Sequence, residues 1–210
     1  MSKTKHSTVP ARVFFTADTH FGHTGVMEMS KRRFGSTEEH DEALIAAWNA
    51  VVGPRDTVWH LGDFAMKSSP ERCAEVFSRL RGRKCFIRGN HDRDRVLDLP
   101  WSEAPSDLQV IKIPFADGFQ PGGYQQVVLT HYAMRSWPHI HHGAINLFGH
   151  THASMPGTCR SCDVGVDAWN MRPVTLAEIV PWLQASPAEP EEFEIRRRQE
   201  AERAREAEQA

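Results

Sequence analysis

ARVFFTADTH, residues 11–20, is an apolar run that stops at an aspartate and a histidine. Val13, Phe14 and Phe15 follow one another without polar alternation, which predicts a strand buried on both faces rather than one lying on a wet surface. The same phrase returns twice. DTVWHL (56–61) runs straight into Gly62-Asp63, and KCFIRG (84–89) runs into Asn90-His91-Asp92. Between these strands lie two helical patterns. STEEHDEALIAAWNAVVGP (36–54) has Ser36 and Glu39 at capping-box spacing, a stripe of Leu44, Ala47, Trp48 and Val51, and a stop at Gly53-Pro54. SPERCAEVFSRL (69–80) opens with Ser69 as N-cap and Pro70 at the first helical position. Strand, helix, strand, helix, strand is a βαβαβ half, and its polar residues collect at the strand exits, where open α/β sheets form their sites.

The second half is richer in strands. LQVIKIPF (108–115) and YQQVVLTHY (124–132) flank a Gly/Pro-containing turn and predict an antiparallel pair. AINLFGHTH (144–152) and DVGVDAW (163–169) are strand-like, and TLAEIVPWL (175–183) predicts a short helix boxed by Thr175 and Glu178 and limited by Pro181. The division expected is a flexible lead-in at 1–10, one α+β domain over 11–185 and a charged tail over 186–210. The tail is either disordered or a solvated helix supported by the pairs Glu192–Arg196 and Glu194–Arg198.

Composition narrows the class of function. Of 210 residues, 25 are Lys or Arg and 27 are Asp or Glu, a formal net charge of −2 that gives no general basic surface for nucleic acid. No apolar run approaches the roughly 18 residues of a membrane span, and MSKTKHSTVP lacks the apolar segment of a secretory signal, so a cytoplasmic location is expected. Cys73 and Cys85 sit in apolar patterns and read as small core residues. Cys159-Arg-Ser-Cys162 has no second CxxC to complete a zinc site and reads as a tight turn.

Twelve histidines are many for this length. Asp18 with His20, Asp63, Asn90 with His91, and His131 each stand at the end of an apolar run, and LFGHTHA (147–153) adds His150 and His152. Residues two apart on an extended segment point the same way, so the last two imidazoles share a direction. Any one of these residues has an ordinary structural reading as a turn former, a cap or a hydrogen-bonded histidine. Their recurrence at successive strand exits is what calls for a common site.

The ordered set DTH, GD, GNH, TH and GHTH resembles the calcineurin-like metallophosphoesterases, and the resemblance runs from about Arg12 to Leu183. It is similar to small bacterial and phage members. The resemblance implies a four-layer αββα sandwich of two mixed sheets flanked by helices. It implies two divalent or trivalent transition-metal ions and hydrolysis of phosphate esters, monoester or diester, by a metal-bound hydroxide. Position by position it assigns Asp18, His20 and His152 to one ion, Asn90, His131 and His150 to the other, and Asp63 to both. His91 falls on the family's non-ligating histidine, which contacts the phosphate or protonates the leaving oxygen. Nitrogen and oxygen donors without thiolate suit manganese, iron or zinc. With only Asp18 and Asp63 anionic, two dications leave the site net positive and attractive to a phosphate ester.

Many relatives carry an acidic residue three positions after the GD aspartate to orient the catalytic histidine. Met66 stands there in this chain, so His91 is left to Asp92, to a backbone carbonyl or to looser positioning. His23, Arg88 and Arg135 are candidate substrate contacts, with Arg93, Arg95 and Arg172 also available, and His139, His141 and His142 of WPHIHHG are expected near the cleft rim. The expected partner is a small phosphate ester, a nucleotide among the candidates. A nuclease acting on DNA or RNA and a noncatalytic metal-binding scaffold are the competing functions.

Overall fold

The computed structural model describes residues 11–208. The flexible lead-in expected at 1–10 lies outside them. In the first half, β1 (Val13–Thr16), β2 (Thr57–His60) and β3 (Arg83–Phe86) pair in parallel, in the order β3-β2-β1. An edge strand β8 (Val174–Thr175), which the sequence pattern does not announce, pairs antiparallel with β1 and completes a four-stranded sheet. The second sheet has the order β4-β5-β6-β7, with β4 (Leu108–Pro114), β5 (Tyr124–Thr130), β6 (Ile145–Phe148) and β7 (Ser161–Asp163). β4 and β5 are antiparallel, as their turn predicts, while β5, β6 and β7 are parallel.

The two sheets pack face to face, and successive residues divide between two cores because side chains alternate across a strand. Phe15, Trp59, Cys85, Val127, Leu129 and Leu147 fill the space between the sheets. Phe14, Val58 and Phe86 point out of the first sheet, under the helices α2 (Thr37–Val51) and α3 (Pro70–Arg79). This is why the strands read as unbroken apolar runs. The outer face of the second sheet has a smaller cover, in which Val128 meets Trp137, Ile140 and Ala144, with Phe193 of α6 (Glu191–Glu208) partly buried against them.

Local chemistry sets the helix ends. The Ser36 side chain accepts the Glu39 N–H at 3.1 Å, but the Glu39 carboxylate reaches back to the Gly35 N–H at 2.7 Å, one residue before the cap. Thr175 and Glu178 form the reciprocal box at α5 (Leu176–Ala185). That helix runs through Pro181 instead of ending at it. Burial of Leu176, Ile179, Val180 and Leu183 in the inter-sheet core, at about 1.5–3 kcal/mol each, outweighs an interior proline's cost of about 3 kcal/mol.

Two short helices lie outside the elements that the sequence predicts, α1 (Thr24–Met29) and α4 (Asp94–Leu97). DVGVDAW leaves strand geometry after Asp163, with only an isolated bridge from Gly165 to Ala17. Within the tail, α6 carries the Glu194–Arg198 pair, while Glu192 pairs with His141 and Arg196 with Glu200. Cys159 and Cys162 are free thiols, Cys159 within a tight turn closed between Thr158 and Ser161 and Cys162 just after it. No described helix is long and apolar enough to cross a membrane.

Candidate metal centre

Parallel strands deliver their C-terminal ends to one side of a sheet, and here both sheets do so at the same edge of the sandwich. Asp18 and His20 follow β1, Asp63 follows β2, Asn90 and His91 follow β3, His131 follows β5, and His150 and His152 follow β6. Two groups of potential ligands result, Asp18-His20-His152 and Asp63-His131-His150, with the ligand atoms in each lying within 4.8 Å of one another. Asp63 Oδ2 stands between them, 3.5 Å from His20 Nε2 and 3.6 Å from His131 Nε2. Asn90 Oδ1 joins the second group, 2.9 Å from His131 Nε2 and 3.0 Å from His150 Nδ1.

The backbone at these positions is unusual. Asp18, His20, Asp63, His150 and His152 all have positive φ, between 48° and 68°. Only a few per cent of non-glycine residues adopt this left-handed conformation, at a cost of order 1–3 kcal/mol each. Hydrogen bonds hold it in place. The Asp18 carboxylate accepts the His150 N–H at 3.0 and 2.8 Å, tying the exit of β1 to that of β6. Asp63 Oδ1 accepts the His91 N–H at 3.0 Å. The Asp92 carboxylate accepts from Gly89, Asp63 and Phe64, at 2.7, 2.8 and 3.1 Å, clamping the β2 and β3 exits together. Asp92 is thus engaged with backbone rather than with the His91 ring, whose neighbour is His20 at 5.6 Å between centroids.

The donor set fits bound cations. Both ring nitrogens of His20 are buried without a hydrogen-bond partner, a costly state unless a ligand or ion satisfies them. Burial, with lesser contributions from His152 and Arg32, lowers the His20 pKa to about 2, so the ring is neutral and offers a lone pair. His131 Nδ1 lies 2.8 Å from the Leu61 carbonyl, which can only accept, so the proton sits on Nδ1. The lone pair of neutral His131 Nε2 then faces the Asn90 carbonyl oxygen, an arrangement that a cation satisfies and bare protein does not. Burial raises the Asp18 pKa well above normal, and the nearby Asp163 and Asp63 carboxylates add to it, a repulsion that positive charge relieves.

Behind the ligands lies a network that the sequence pattern did not expose. Asp167 Oδ2 lies 2.7 Å from His152 Nδ1, directing the other ring nitrogen away from the carboxylate. Arg32, its side chain 1% exposed, donates to Asp167 through Nε at 2.8 Å and Nη2 at 2.7 Å, and to the Asp18 and Thr19 carbonyls at 2.7 and 3.1 Å. Hydrogen bonds from His152 and Arg32 overcome the upward push of burial and hold the Asp167 pKa down to about 2. Asp163 braces the GHTH segment, accepting from Thr151 Oγ1 at 2.5 Å and the Ala153 N–H at 3.0 Å.

The remaining candidates divide. His23 is buried, its ring 5.5 Å from that of His20 and its Nδ1 without a partner. Arg88 pairs with Asp107 at 3.1 Å, and Arg135 with Glu191 of α6; neither contact draws the guanidinium into the ligand cluster. Arg93 donates to the Asn90 carbonyl at 3.1 Å, and Arg172 pairs with Glu178. Tyr132, 54% exposed, packs 4.6 Å from His150 and was not singled out from the sequence. Trp137 is buried, its indole bonded to the Ala144 carbonyl. His139, His141 and His142 precede β6 and so stand at the opposite end of the sheet from His150, not on the cleft rim.

Two facing mixed sheets with paired candidate metal-ligand clusters at their strand exits define a class, and the chain belongs to the calcineurin-like phosphoesterase family, whose sequence profile matches residues 11–154. The Gene 66 protein of Mycobacterium phage L5 is 33% identical over 186 residues, covering 76% of this chain and 88% of the phage protein. An uncharacterized protein of Methanocaldococcus jannaschii is 28% identical over 183 residues, covering 82% of this chain and 92% of its own length. A crystal structure of a protein of unknown function from Aquifex aeolicus shares the fold, with a TM-score of 0.62 at 23% identity over 82% of this chain and 100% of that one.

Proposed function

We propose that this chain is a dinuclear metal-dependent hydrolase of phosphate esters, acting on monoesters or diesters. The observation that supports it most directly is Asp63 Oδ2, which faces His20 of one cluster and His131 of the other at nearly equal distances. One oxygen shared in this way favours two ions acting on one substrate over two independent ions. Asp18, His20 and His152 would hold the first ion, Asn90, His131 and His150 the second, and Asp63 both. Manganese, iron and zinc all suit this nitrogen and oxygen set. When bound, the ions supply Lewis acidity to the phosphoryl oxygens and make water a better nucleophile at neutral pH.

The protein's own residues set the rest. With only two carboxylates in the ligand set, the loaded site keeps positive charge and draws in an anionic ester. His91 is carried on a loop pinned by its N–H to Asp63 Oδ1, beside His20, where an imidazole can bond a phosphate oxygen or give a proton to the leaving oxygen. His23 is a second donor on the same side. A small phosphate ester such as a nucleotide is the favoured substrate, and the net charge of −2 weighs against an extended nucleic acid. A purely structural metal site is disfavoured because strain concentrated at ligand positions is characteristic of functional sites. A reducing compartment such as the cytoplasm is part of the same reading, supported by the free thiols Cys73, Cys85, Cys159 and Cys162.

The test is hydrolysis of aryl phosphate monoesters, aryl diesters and nucleotides by protein loaded with manganese, iron or zinc. Protein that holds two ions and cleaves none of these overturns the reading. Asp63→Ala is expected to lose metal, and His91→Ala to keep metal and lose turnover by about 100-fold or more. Wild-type turnover in both variants would refute the assigned roles.

A further inference from the structure

The second sheet carries a cavity at the end opposite the metal centre. It measures about 690 Å³, a size typical of small-molecule sites. Tyr124 and Gln126 at the start of β5 bound it on one side, and the His139–Gly143 segment ahead of β6 on another. β5 ends at Thr130, next to His131, so the two sites stand about 20 Å apart along the strand, at roughly 3.3 Å per residue.

The lining is one-sided in charge. Lys112 and Arg160 contribute permanent positive charge and His139, His141 and His142 contribute imidazoles, while among the described residues no aspartate or glutamate lines the cavity. The whole chain has more acidic than basic residues, 27 against 25, so this segregation is not a reflection of composition. Among the described residues, neither Lys112 nor Arg160 has an ion-pair partner. The Arg160 guanidinium lies 3.8 Å over the Phe119 ring, donates once to the Cys159 carbonyl at 2.9 Å, and keeps a buried Nε without a partner. Lys112 Nζ stands 5.0 Å over the Tyr124 ring. Glu192, at the margin, is engaged with His141 and Ser136 and neutralises neither cation. His139 adopts a φ of 63°, a left-handed conformation uncommon for non-glycine residues.

Uncompensated cations backed by aromatic rings and imidazoles are held ready for an anion. A planar fork, an ammonium and two further imidazoles offer more donors than the two oxygens of one carboxylate can use, and suit the three terminal oxygens of a phosphoryl group. We propose that this groove binds a small phosphorylated molecule, at a site separate from the metal centre.

The test is calorimetric titration of inorganic phosphate into the full-length, metal-loaded protein, with aryl phosphate hydrolysis measured on the same samples. The wild type is expected to show two sites. Lys112→Gln and Arg160→Gln should each weaken one of them by roughly tenfold and together remove it, with hydrolysis unchanged. Lys112 is exposed, so its variant reports on binding even if replacing Arg160 disturbs the fold. Phosphate binding that is indifferent to Lys112→Gln, whether the wild type shows one site or two, overturns the proposal. Malonate binding to the groove as tightly as phosphate overturns the choice of phosphoryl group.

Discussion

Asp167→Asn tests whether the residues behind the candidate metal ligands govern metal binding. In the native arrangement Asp167 Oδ2 accepts from His152 Nδ1 at 2.7 Å, which keeps that proton on Nδ1 and leaves Nε2 as a lone pair. An asparagine that turns its carbonyl to Arg32 presents an N–H to His152, and the imidazole proton moves to Nε2. The ring then offers a proton where an ion needs a lone pair. Loss of such an outer partner weakens metal binding about 10–100-fold, or roughly 1.4–2.7 kcal/mol. The substitution also leaves Arg32 without its carboxylate. Breaking a buried pair costs about 3–5 kcal/mol, and the low end is expected because the Asp18 and Thr19 carbonyls still accept from Arg32. Calorimetric titration of manganese or zinc should therefore show the first-cluster affinity down at least tenfold, with the second changed by less than about threefold. Urea unfolding of the metal-free protein should show the stability loss. Wild-type affinity at both sites in a folded Asp167→Asn protein would refute the claim that this network sets the His152 tautomer.

Two further perturbations separate packing from chemistry. A Cβ at Gly149 would meet Ala17 Cβ at 2.5 Å and Asp18 Oδ2 at 2.8 Å, so Gly149→Ala should cost about 1–3 kcal/mol in chemical unfolding and weaken binding at the first cluster. Unaltered metal affinity would mean that the β1 and β6 exits are less tightly coupled than the contacts indicate. Far from the site, Asp56 accepts from the Arg12 N–H, the Arg12 guanidinium and the Gly53 N–H, at 2.8, 2.9 and 2.8 Å. Burial pushes its pKa up, but these donors win and hold it below the normal value. A depressed carboxylate stabilises the fold above the unfolded pKa of about 4, and that contribution is lost as pH falls through the folded value. Asp56→Asn should thus cost about 1–3 kcal/mol at pH 7, by urea unfolding, and less at pH 3; a gap that does not narrow would contradict the assignment.

Most of the scaffold was legible because its signals are local. The strands around Phe14, Val58 and Phe86 are apolar on both faces, and Ser36, Ser69 and Thr175 mark helix starts by side-chain chemistry alone. The candidate ligands were legible for a different reason, since each lies within about four residues of a strand's C-terminal end. Edge strand β8 is only two residues long and exists because β1 offers it an edge. α1 has no apolar stripe longer than its single buried residue, Val26. Arg32 is one of three consecutive cations in KRR, and nothing nearby marks it as the buried one; its partner Asp167 is 135 residues away. Partnerships of that length are decided by tertiary packing, which a residue pattern does not carry.

The left-handed backbone at Asp18, His20, Asp63, His150 and His152 also bears on which metals the proposed centre would accept. Aspartate, asparagine and histidine are enriched several-fold in that conformation, whereas β-branched and bulky residues are genuine outliers there. The side chains the backbone tolerates best are therefore the nitrogen and oxygen donors that suit manganese, iron and zinc. Recruiting a soft metal would require thiolates on a main chain that does not favour them. At these five positions ligand chemistry and chain conformation are linked, whereas Asn90 and His131 stand on ordinary backbone.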